Sequence, residues 1–554
     1  MRRVFLAALC LLILLDPWDG GSSGRPEAGA PGQGPEVSTT FRSSVSEFEQ
    51  LFHLIRATLS RDRVEFPGKT GPVAGFAAGT SYPQIWLRDA ATIIPASRLF
   101  YPAPYLVSWI EEHLAFQRPD GSLEDWIDAS GKADKNTTET DQEASAVLGA
   151  AQAVRILGLE WPGKNIRGVS ILERLDRALR FVLSARFDKT RGLVTGAHTA
   201  DWGDVDMEDA DQKAIYTDAK TNWTVDIYDQ AIVYGAGRAL AELWDGRGAP
   251  DKVRFWRDAS EKLRENADRI LWQEDRGYYR VHVHLGDLKH DFNEDAMFPM
   301  GGNAEAILGG LASPEKARRI IDTALARQAE FKMPTLSAVL LPPYPKGVFK
   351  HPAVDEPFEY QNGGLWDWFG AKLVYAMFEN GFSDVAREKL LEIARKNIAN
   401  KGLYEWDAPD GSGRGSPSYA GSAGSLAKAL FEGYFGVKLS PAGLELAPRL
   451  GEHSARANVR IPAAGVYAAF EYRWDPKAGR ILYRYESNVP KEGVVRVTLP
   501  APLAAQAVGA DSSVLEVSLD GRPVEFSIGS IRRDIVVSVR TDFRPHTLLI
   551  ERAR

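Results

Sequence analysis

The sequence predicts a mainly α-helical fold, an (α/α)6 toroid of six helical hairpins followed by a small C-terminal β-sandwich domain. Three observations predict it. Apolar residues recur at helical spacing in twelve segments between about residues 43 and 434. The connections between these segments alternate between long and short. After about residue 436 the pattern changes to short apolar or alternating stretches separated by turn residues.

The twelve helical segments are bounded by Gly, Pro, Asp and Asn residues. Short connections follow the even-numbered segments up to the tenth. Because short links join antiparallel neighbours at one end of a bundle, we expect the six long loops to gather at the other end, where binding residues concentrate. An open solenoid would need a sequence repeat, which we do not find. The segments are 43–60, 89–100, 103–116, 139–157, 169–185, 225–244, 250–271, 302–310, 313–328, 363–380, 383–399 and 419–434, and the long loops lie near 61–88, 117–138, 186–224, 272–301, 329–362 and 400–418.

The C-terminal residues are predicted to form a β-sandwich without a candidate catalytic cluster of its own. Asp520-Gly521 is a hairpin turn signal. We place the toroid domain at 42–436 and the sandwich domain at 437–554. The predicted strands are Val459–Ile461, Tyr467–Trp474, Ile481–Tyr485, Val494–Leu499, Val514–Leu519, Ile535–Val539 and Thr547–Ile550.

The first twenty residues have the pattern of an export signal. Met1-Arg2-Arg3 is positively charged, and Val4–Leu15 is an apolar run shorter than the roughly 20 residues that span a bilayer as a helix. No clean small-residue cleavage site follows directly, so residues 1–20 are interpreted as a signal peptide or, alternatively, an N-terminal anchor. Residues 21–41, rich in Gly, Pro and Ser, are predicted to be a flexible linker. We therefore expect a secreted or periplasmic protein, with a membrane tether as the alternative.

The composition excludes several classes of function. The 67 Lys and Arg residues against 74 Asp and Glu residues give a net charge of −7, which lacks the basic excess that binding to nucleic acid requires. Cys10 is the one cysteine of the chain, so a disulfide scaffold, a thiol nucleophile and a cysteine-ligated metal site are excluded. The 14 Trp, 18 Tyr and 24 Phe residues weakly indicate stacking against sugar rings, and core packing is the simpler explanation.

The first long loop ends in the sequence Trp-Leu-Arg-Asp at residues 86–89. Trp86 is a candidate platform for a sugar ring, and Arg88 and Asp89 are candidates to bind its hydroxyl groups. The structural alternative is that Asp89 caps the helix it begins and pairs with Arg88.

The third long loop carries the candidate general acid, in the sequence Thr-Ala-Asp-Trp-Gly-Asp at residues 199–204. A carboxylic acid in a cleft beside aromatic surface suits proton donation, because loss of hydration raises its pKa towards neutrality. Asp201 and Asp204 are the candidates, with Trp202 between them, and Asp229 is a third. Asp226 is interpreted as a cap of the sixth helix.

The fifth and sixth loops add amides and a second carboxylate. Residues 359–366 read Glu-Tyr-Gln-Asn-Gly-Gly-Leu-Trp, in which Gln361, Asn362 and Trp366 are candidates for substrate binding, although the start of a helix would use similar residues. Residues 404–407 read Tyr-Glu-Trp-Asp. Glu405, between two aromatic residues, suits a general base, and Trp406 is a further binding candidate. The alternative for Glu405 is an ordinary surface carboxylate.

In this order the motifs resemble those of the six-hairpin glycosidases: glucoamylases, trehalases, processing glucosidases, glycogen-debranching glucosidases and rhamnosidases. Residues 86–89 look like the signature that holds the sugar ring in the cleavage subsite. Residues 199–201, with Val-Asp-Ile at 225–227, are similar to the debranching-type segment that supplies the acid. Residues 360–366 resemble a Tyr-His-Asn-Gly-x-x-Trp stretch with Gln361 in place of His, and 404–407 resemble the segment with the catalytic base. The four matches span about 330 residues.

The resemblance implies an α-glucosidase-like glycoside hydrolase, which the N-terminal signal pattern predicts to be exported. Asp201 or Asp204 would protonate the glycosidic oxygen, and Glu405 would activate water on the opposite face of the sugar, with inversion of configuration. The Gly-Trp-Asp acid motif of trehalases is not reproduced cleanly, and a glucoamylase-like alignment would place the acid at Asp229. The expected partner is a carbohydrate substrate, with no nucleic acid and no membrane beyond the N-terminal anchor. This chemistry needs no metal or organic cofactor, and a structural calcium ion is left open.

Other classes of protein use the same scaffold. A polysaccharide lyase would need a Tyr or His base and cationic groups, whereas the long loops offer mostly acids and amides. A non-catalytic carbohydrate-binding protein would bind sugar without turnover. A phosphorylase would leave Glu405 unexplained, because phosphate replaces the activated water.

Overall fold

Six inner and six outer helices form a closed ring in the computed structural model, which describes residues 38–135, 138, 140–210, 217–507 and 514–553. The predicted signal segment and most of the predicted linker lie outside these residues. The twelve helices are α1 Ser46–Arg61, α2 Leu87–Ser97, α3 Pro104–Ala115, α4 Gln142–Leu157, α5 Ile171–Ala185, α6 Ile227–Asp245, α7 Pro250–Ile270, α8 Met300–Leu308, α9 Pro314–Glu330, α10 Asp367–Glu379, α11 Ser383–Asn400 and α12 Ala420–Lys428, which continues as a π-helix over Ala429–Tyr434. The predicted (α/α)6 toroid is confirmed.

The even-numbered helices line the inside of the ring. Each contacts the next, and α12 returns to α2, which closes the circle. Inner helix α2 is buried along its whole length except at Thr92. Outer helix α7 buries one stripe at spacings of three and four, and its buried residues are Val253, Trp256, Ser260, Leu263 and Ala267. The amphipathic pattern therefore separates outer helices from inner ones.

The six long loops meet at one end of the ring, as predicted, because each is joined to its neighbours by backbone pairing. Within the described residues there are six junctions between neighbouring loops, and five of them are short strand pairs or single bridges. At the sixth, the amide of Ala197 in the third loop donates to the carbonyl of Thr138 in the second. The other junctions are Ile85–Trp86 with Trp126–Ile127, Trp223–Asp226 with His282–His284, Phe298–Pro299 with Leu340–Leu341, Leu365 with Asp407, and Tyr419 with Gly79. Loop side chains far apart in sequence are thereby held in fixed relative positions.

Further short strand pairs lie in the connections, and a single helical turn, Pro352–Asp355, lies in the fifth loop. These strands are Arg63–Gly68 with Gly71–Phe76, Ala133–Asp134 with Trp126–Ile127, Asn165–Ile166 with Val169–Ser170, Phe187–Asp188 with Leu193–Val194, Gly196–Ala197 with Trp223–Asp226, Trp272–Gln273 with Tyr278–Tyr279, and Trp406–Asp407 with Gly413–Arg414. In the part of the chain that the structure describes, no helix combines the length and apolar character needed to cross a bilayer.

Two sheets form the C-terminal sandwich, and every predicted strand is present. Asp520 and Gly521 have φ angles of 52° and 76°, as their hairpin turn requires. Helix α13, Ala501–Ala507, was not predicted. One sheet has the order Thr40–Ser43, Ala455–Ile461, Val466–Asp475, Arg480–Ser487, His546–Arg552, Leu515–Leu519 and Arg522–Pro523, and the other Val437–Ser440, Gly443–Leu446, Glu492–Thr498, Asp534–Asp542 and Phe526–Ile531. The strand at Thr40–Ser43 begins inside the segment predicted as a linker and pairs with Ala455–Ile461.

Candidate functional site

Glu405 lies in the sixth loop and is held by groups from two loops. Its Oε1 accepts a 3.0 Å hydrogen bond from the hydroxyl of Tyr82, and its Oε2 accepts a 2.9 Å bond from the amide of Ser416. Its side chain is 4% exposed, and burial raises its pKa to about 7. The negative charges of Asp204 and Asp89 raise it further. Glu405 is therefore a fixed carboxyl group that titrates near neutral pH, and the surface-carboxylate alternative does not describe it.

Asp204, in the third loop, shares the site with Glu405. Its Oδ1 accepts a 2.6 Å hydrogen bond from Nε2 of Gln361 in the fifth loop. Its charge raises the pKa of Glu405 and also that of the Tyr82 and Tyr360 hydroxyls. Asp204 is only partly buried. A partly exposed carboxylate and a buried one thus lie near each other among aromatic hydroxyl groups.

Asp201 has a different environment from Asp204. Both of its carboxyl oxygens accept from the amide of Gly302, at 3.1 and 3.2 Å, in the first turn of α8. It has a φ of 58°, and its buried side chain has a pKa raised well above the usual value by burial. A Cβ on Gly301 would lie 2.7 Å from its Oδ2, so the close approach needs glycine. Asp201 fastens the third loop to α8, while Asp204 is the third-loop acid beside Glu405.

Arg88 and Asp89 lie inside the first turn of α2, because that helix begins at Leu87 rather than at Asp89. Asp89 accepts a 2.7 Å hydrogen bond from the hydroxyl of Tyr419, so the interpretation of Asp89 as a helix cap is wrong. The guanidinium of Arg88 donates to Asp141 at 3.3 Å and lies 5.4 Å from the ring centre of Trp202. Both side chains are buried next to the site rather than extended from its rim.

The predicted tryptophans divide into two groups. Trp202 and Trp366 are each 2% exposed, with ring centres 4.6 Å apart, and they pack together beneath the loops. Trp86 and Trp406 are only partly buried. The ring of Trp406 lies 6.3 Å from that of Tyr360, which the charge of Asp204 places at the site. Trp406 is thus the better placed of the predicted stacking residues.

Two further predicted residues, Asn362 and Asp229, are buried and make contacts within the protein. Asn362 is fully buried and exchanges hydrogen bonds with the backbone of Tyr344, at 2.7 and 3.1 Å. Asp229 is buried against Asp226, which accepts from the Asp229 amide at 2.7 Å and caps α6 as expected. Burial and the charge of Asp226 raise the pKa of Asp229 well above its usual value. These contacts position the backbone around the site.

Three tyrosines of the site, Tyr82, Tyr360 and Tyr419, were not selected from the sequence, although Tyr360 lies within the motif at residues 359–366. Tyr82 opens the stretch before Trp86, Tyr360 precedes Gln361, and Tyr419 begins the sixth inner helix region. For Tyr360, the available signal was its place beside Gln361 in that motif.

A second polar cluster lies next to the site. The side chains of His198, His284, His290 and Glu294 offer one ligand atom each, all within 4.8 Å of one another. Burial lowers the pKa of His198 to about 4, and hydrogen bonds from three histidines hold the pKa of Glu294 below its usual range despite burial. The spacing His-x-His-x5-His-x3-Glu at residues 282–294 was the sequence signal for this cluster.

The chain resembles known proteins in structure but not in sequence. Neither models of known protein families nor characterised proteins give a sequence match. A GH78 family rhamnosidase of Bacillus sp. GL1 is similar with a TM-score of 0.59 and 16% identity, over 84% of this chain and 43% of that one. An α-L-rhamnosidase from Dictyoglumus thermophilum is similar with a TM-score of 0.60 and 12% identity, over 93% of this chain and 50% of that one.

A GH63 mannosylglycerate hydrolase from Thermus thermophilus gives a TM-score of 0.47 at 17% identity, over 68% of this chain and 99% of its own. The chain spans half or less of the two rhamnosidases that it matches. The chain therefore shares its fold with the matched parts of the two rhamnosidases.

Proposed function

We propose that this chain is a glycoside hydrolase in which Asp204 is the general acid and Glu405 the general base. The observation that carries the proposal is the pair of carboxyl groups on different loops, of which one is fixed by Tyr82 and Ser416 and the other by Gln361. Two carboxyl groups flanking a scissile bond are the usual machinery of glycoside hydrolysis. The shared fold with two rhamnosidases supports the same class of reaction.

The contacts favour these roles. Glu405 receives two hydrogen bonds that favour its ionised form, as a base requires. Asp204 has a single amide contact and is partly exposed, so its second oxygen can reach a leaving-group oxygen. Asp201 is occupied by the start of α8. In the reaction, Asp204 gives its proton to the departing oxygen while Glu405 removes a proton from the water that attacks the anomeric carbon.

We propose that Arg88, Asp89, Trp406 and Gln361 bind the substrate. A carbohydrate is the proposed partner, held by hydrogen bonds to its hydroxyl groups and by the face of Trp406. We propose inversion of configuration, as in the enzymes that the motifs resemble, and glucosides, mannosides and rhamnosides as the first substrates to test. The α-glucosidase-like specificity and export by residues 1–20 are parts of the same proposal.

The test is release of monosaccharide from α- and β-linked glucosides, mannosides and rhamnosides by the wild type, Glu405→Gln and the matched control Glu359→Gln. Glu359 is an exposed carboxylate in the fifth loop. We expect the wild type and the control to hydrolyse glycosides of one sugar class, and Glu405→Gln to lose this activity. Sugar binding without turnover by the wild type would favour a binding protein, and unsaturated products from uronate polymers would favour a lyase.

A further inference from the structure

Four of the nine histidines in the chain meet at one place between the third, fourth and fifth loops. His198 belongs to the third loop, and His282, His284 and His290 belong to the fourth, together with Glu294. The cluster lies against a small apolar core of its own, which includes Val205, Met207, Phe349 and Val354. This core is separate from the main core of the toroid. No step of the proposed hydrolysis uses these imidazoles.

The four candidate ligand atoms lie within 4.8 Å of one another, close enough to share one metal ion. Nε2 of His198 lies 3.1 Å from Nε2 of His290, and these atoms lie 3.4 and 3.6 Å from Oε1 of Glu294. Nε2 of His284 lies 2.8 Å from Oε2 of the same carboxylate. Zinc bonds of about 2.0 to 2.1 Å in a tetrahedron place neighbouring ligand atoms about 3.3 Å apart. The three distances among Oε1 of Glu294 and the Nε2 atoms of His198 and His290 bracket that value.

We propose that His198, His284, His290 and Glu294 bind one zinc ion, which joins the third loop to the fourth. Three imidazole nitrogens and one carboxylate oxygen are a donor set that zinc favours, whereas calcium and magnesium favour oxygen ligands. A hydrogen-bonded network centred on Glu294, without a metal, is the alternative outcome. The proposal does not depend on hydrolytic activity.

The surrounding contacts indicate what the ion does. The hydroxyl of Tyr344 donates a 2.6 Å hydrogen bond to Glu294 and lies 3.1 Å from Nδ1 of His282, so both orient the carboxylate. The backbone of Tyr344 is bonded to Asn362, whose neighbour Gln361 donates to Asp204. His198 itself is six residues before Asp204. The ion therefore acts as a positioning centre for the loops that carry the candidate acid.

The experiment uses the full chain, freed of metal with a chelator and titrated with zinc chloride by calorimetry. We expect one zinc ion per chain, and tetrahedral d–d bands in the visible spectrum when cobalt replaces zinc. His284→Gln and His290→Gln together should weaken binding by more than about 100-fold, since even an outer-shell partner is worth about 10- to 100-fold. The matched control His53→Gln, an exposed histidine of α1, should bind as the wild type does.

Two results would overturn the proposal. One is the absence of stoichiometric zinc binding and of tetrahedral cobalt bands in the wild-type protein. That result would leave the hydrogen-bonded network as the explanation of the cluster, and it needs no variant. The other is unchanged zinc binding in a folded double variant. If the wild-type protein binds zinc but hydrolyses no glycoside, the result would count against the proposed function alone. Failure of the zinc site and failure of the proposed function are therefore distinguishable.

Discussion

The hydroxyl of Tyr82 donates a 3.0 Å hydrogen bond to Oε1 of Glu405 across 323 residues of sequence, which joins the first long loop to the sixth. The bond favours the ionised carboxylate and opposes the effect of burial on its pKa. The bond is available because Tyr419 pairs with Gly79 and so brings the two loops together. Closure of the helical ring thus supplies one of the hydrogen bonds that lower the pKa of the candidate base.

Tyr82→Phe removes this bond, so the pKa of Glu405 is expected to rise. A hydrogen bond to a charged group contributes about 1.5 to 3 kcal/mol, which corresponds to about one to two pKa units. The acidic limb of the pH profile of kcat/KM should move upwards by about that amount, and activity lost at neutral pH should return at higher pH. An unmoved acidic limb in an active, folded variant would contradict the role of Tyr82.

The wild-type pH profile distinguishes the two assignments of Glu405. As a base, Glu405 must be ionised, so kcat/KM should rise with pH through about 7, where its pKa lies. As an acid, it must be protonated, so kcat/KM would fall over the same range. Measurement with one hydrolysed glycoside decides between these directions, and a falling limb near that pH would reverse the roles given to Glu405 and Asp204.

Asp204→Asn should lower turnover of glycosides with poor leaving groups by about 100- to 10,000-fold, the usual contribution of a general acid. Dinitrophenyl glycosides should be affected much less, because their leaving group departs without a proton. Asp201→Asn is the matched control. Asn also adopts the left-handed conformation of Asp201, and its side-chain oxygen can still accept from Gly302. A larger loss in Asp201→Asn than in Asp204→Asn would identify Asp201 as the acid.

Glu405→Gln should be more stable than the wild type at neutral and alkaline pH. The folded pKa of Glu405 is raised from 4.5 to about 7, so the buried carboxylate costs stability that grows as pH rises through this window and persists above it. Substitution by Gln removes a cost of up to about 3 kcal/mol. Urea unfolding at acidic and alkaline pH measures this difference, and equal stability of the two proteins at both pH values would contradict it.

The helices and most strands could be predicted because their signals are local. The buried stripe of α7 repeats at helical spacing, and Asp520-Gly521 marks a hairpin by itself. The contacts of the site depend on closure of the ring: Gln361 reaches Asp204 across 157 residues. No periodicity in the sequence encodes that approach. Similarly, Trp202 is a residue type that can stack against a sugar ring. Its packing against Trp366 shows that its ring is buried instead.

Azide rescue of Glu405→Gln is the sharpest test of whether Glu405 activates the attacking water. A small anion that needs no deprotonation should attack the anomeric carbon in place of water. Without azide, we expect turnover to fall by at least about 100-fold. With azide, we expect turnover to return and the product to be a glycosyl azide of inverted configuration. Hydrolysis by Glu405→Gln at the wild-type rate in the absence of azide would show that Glu405 is not the base.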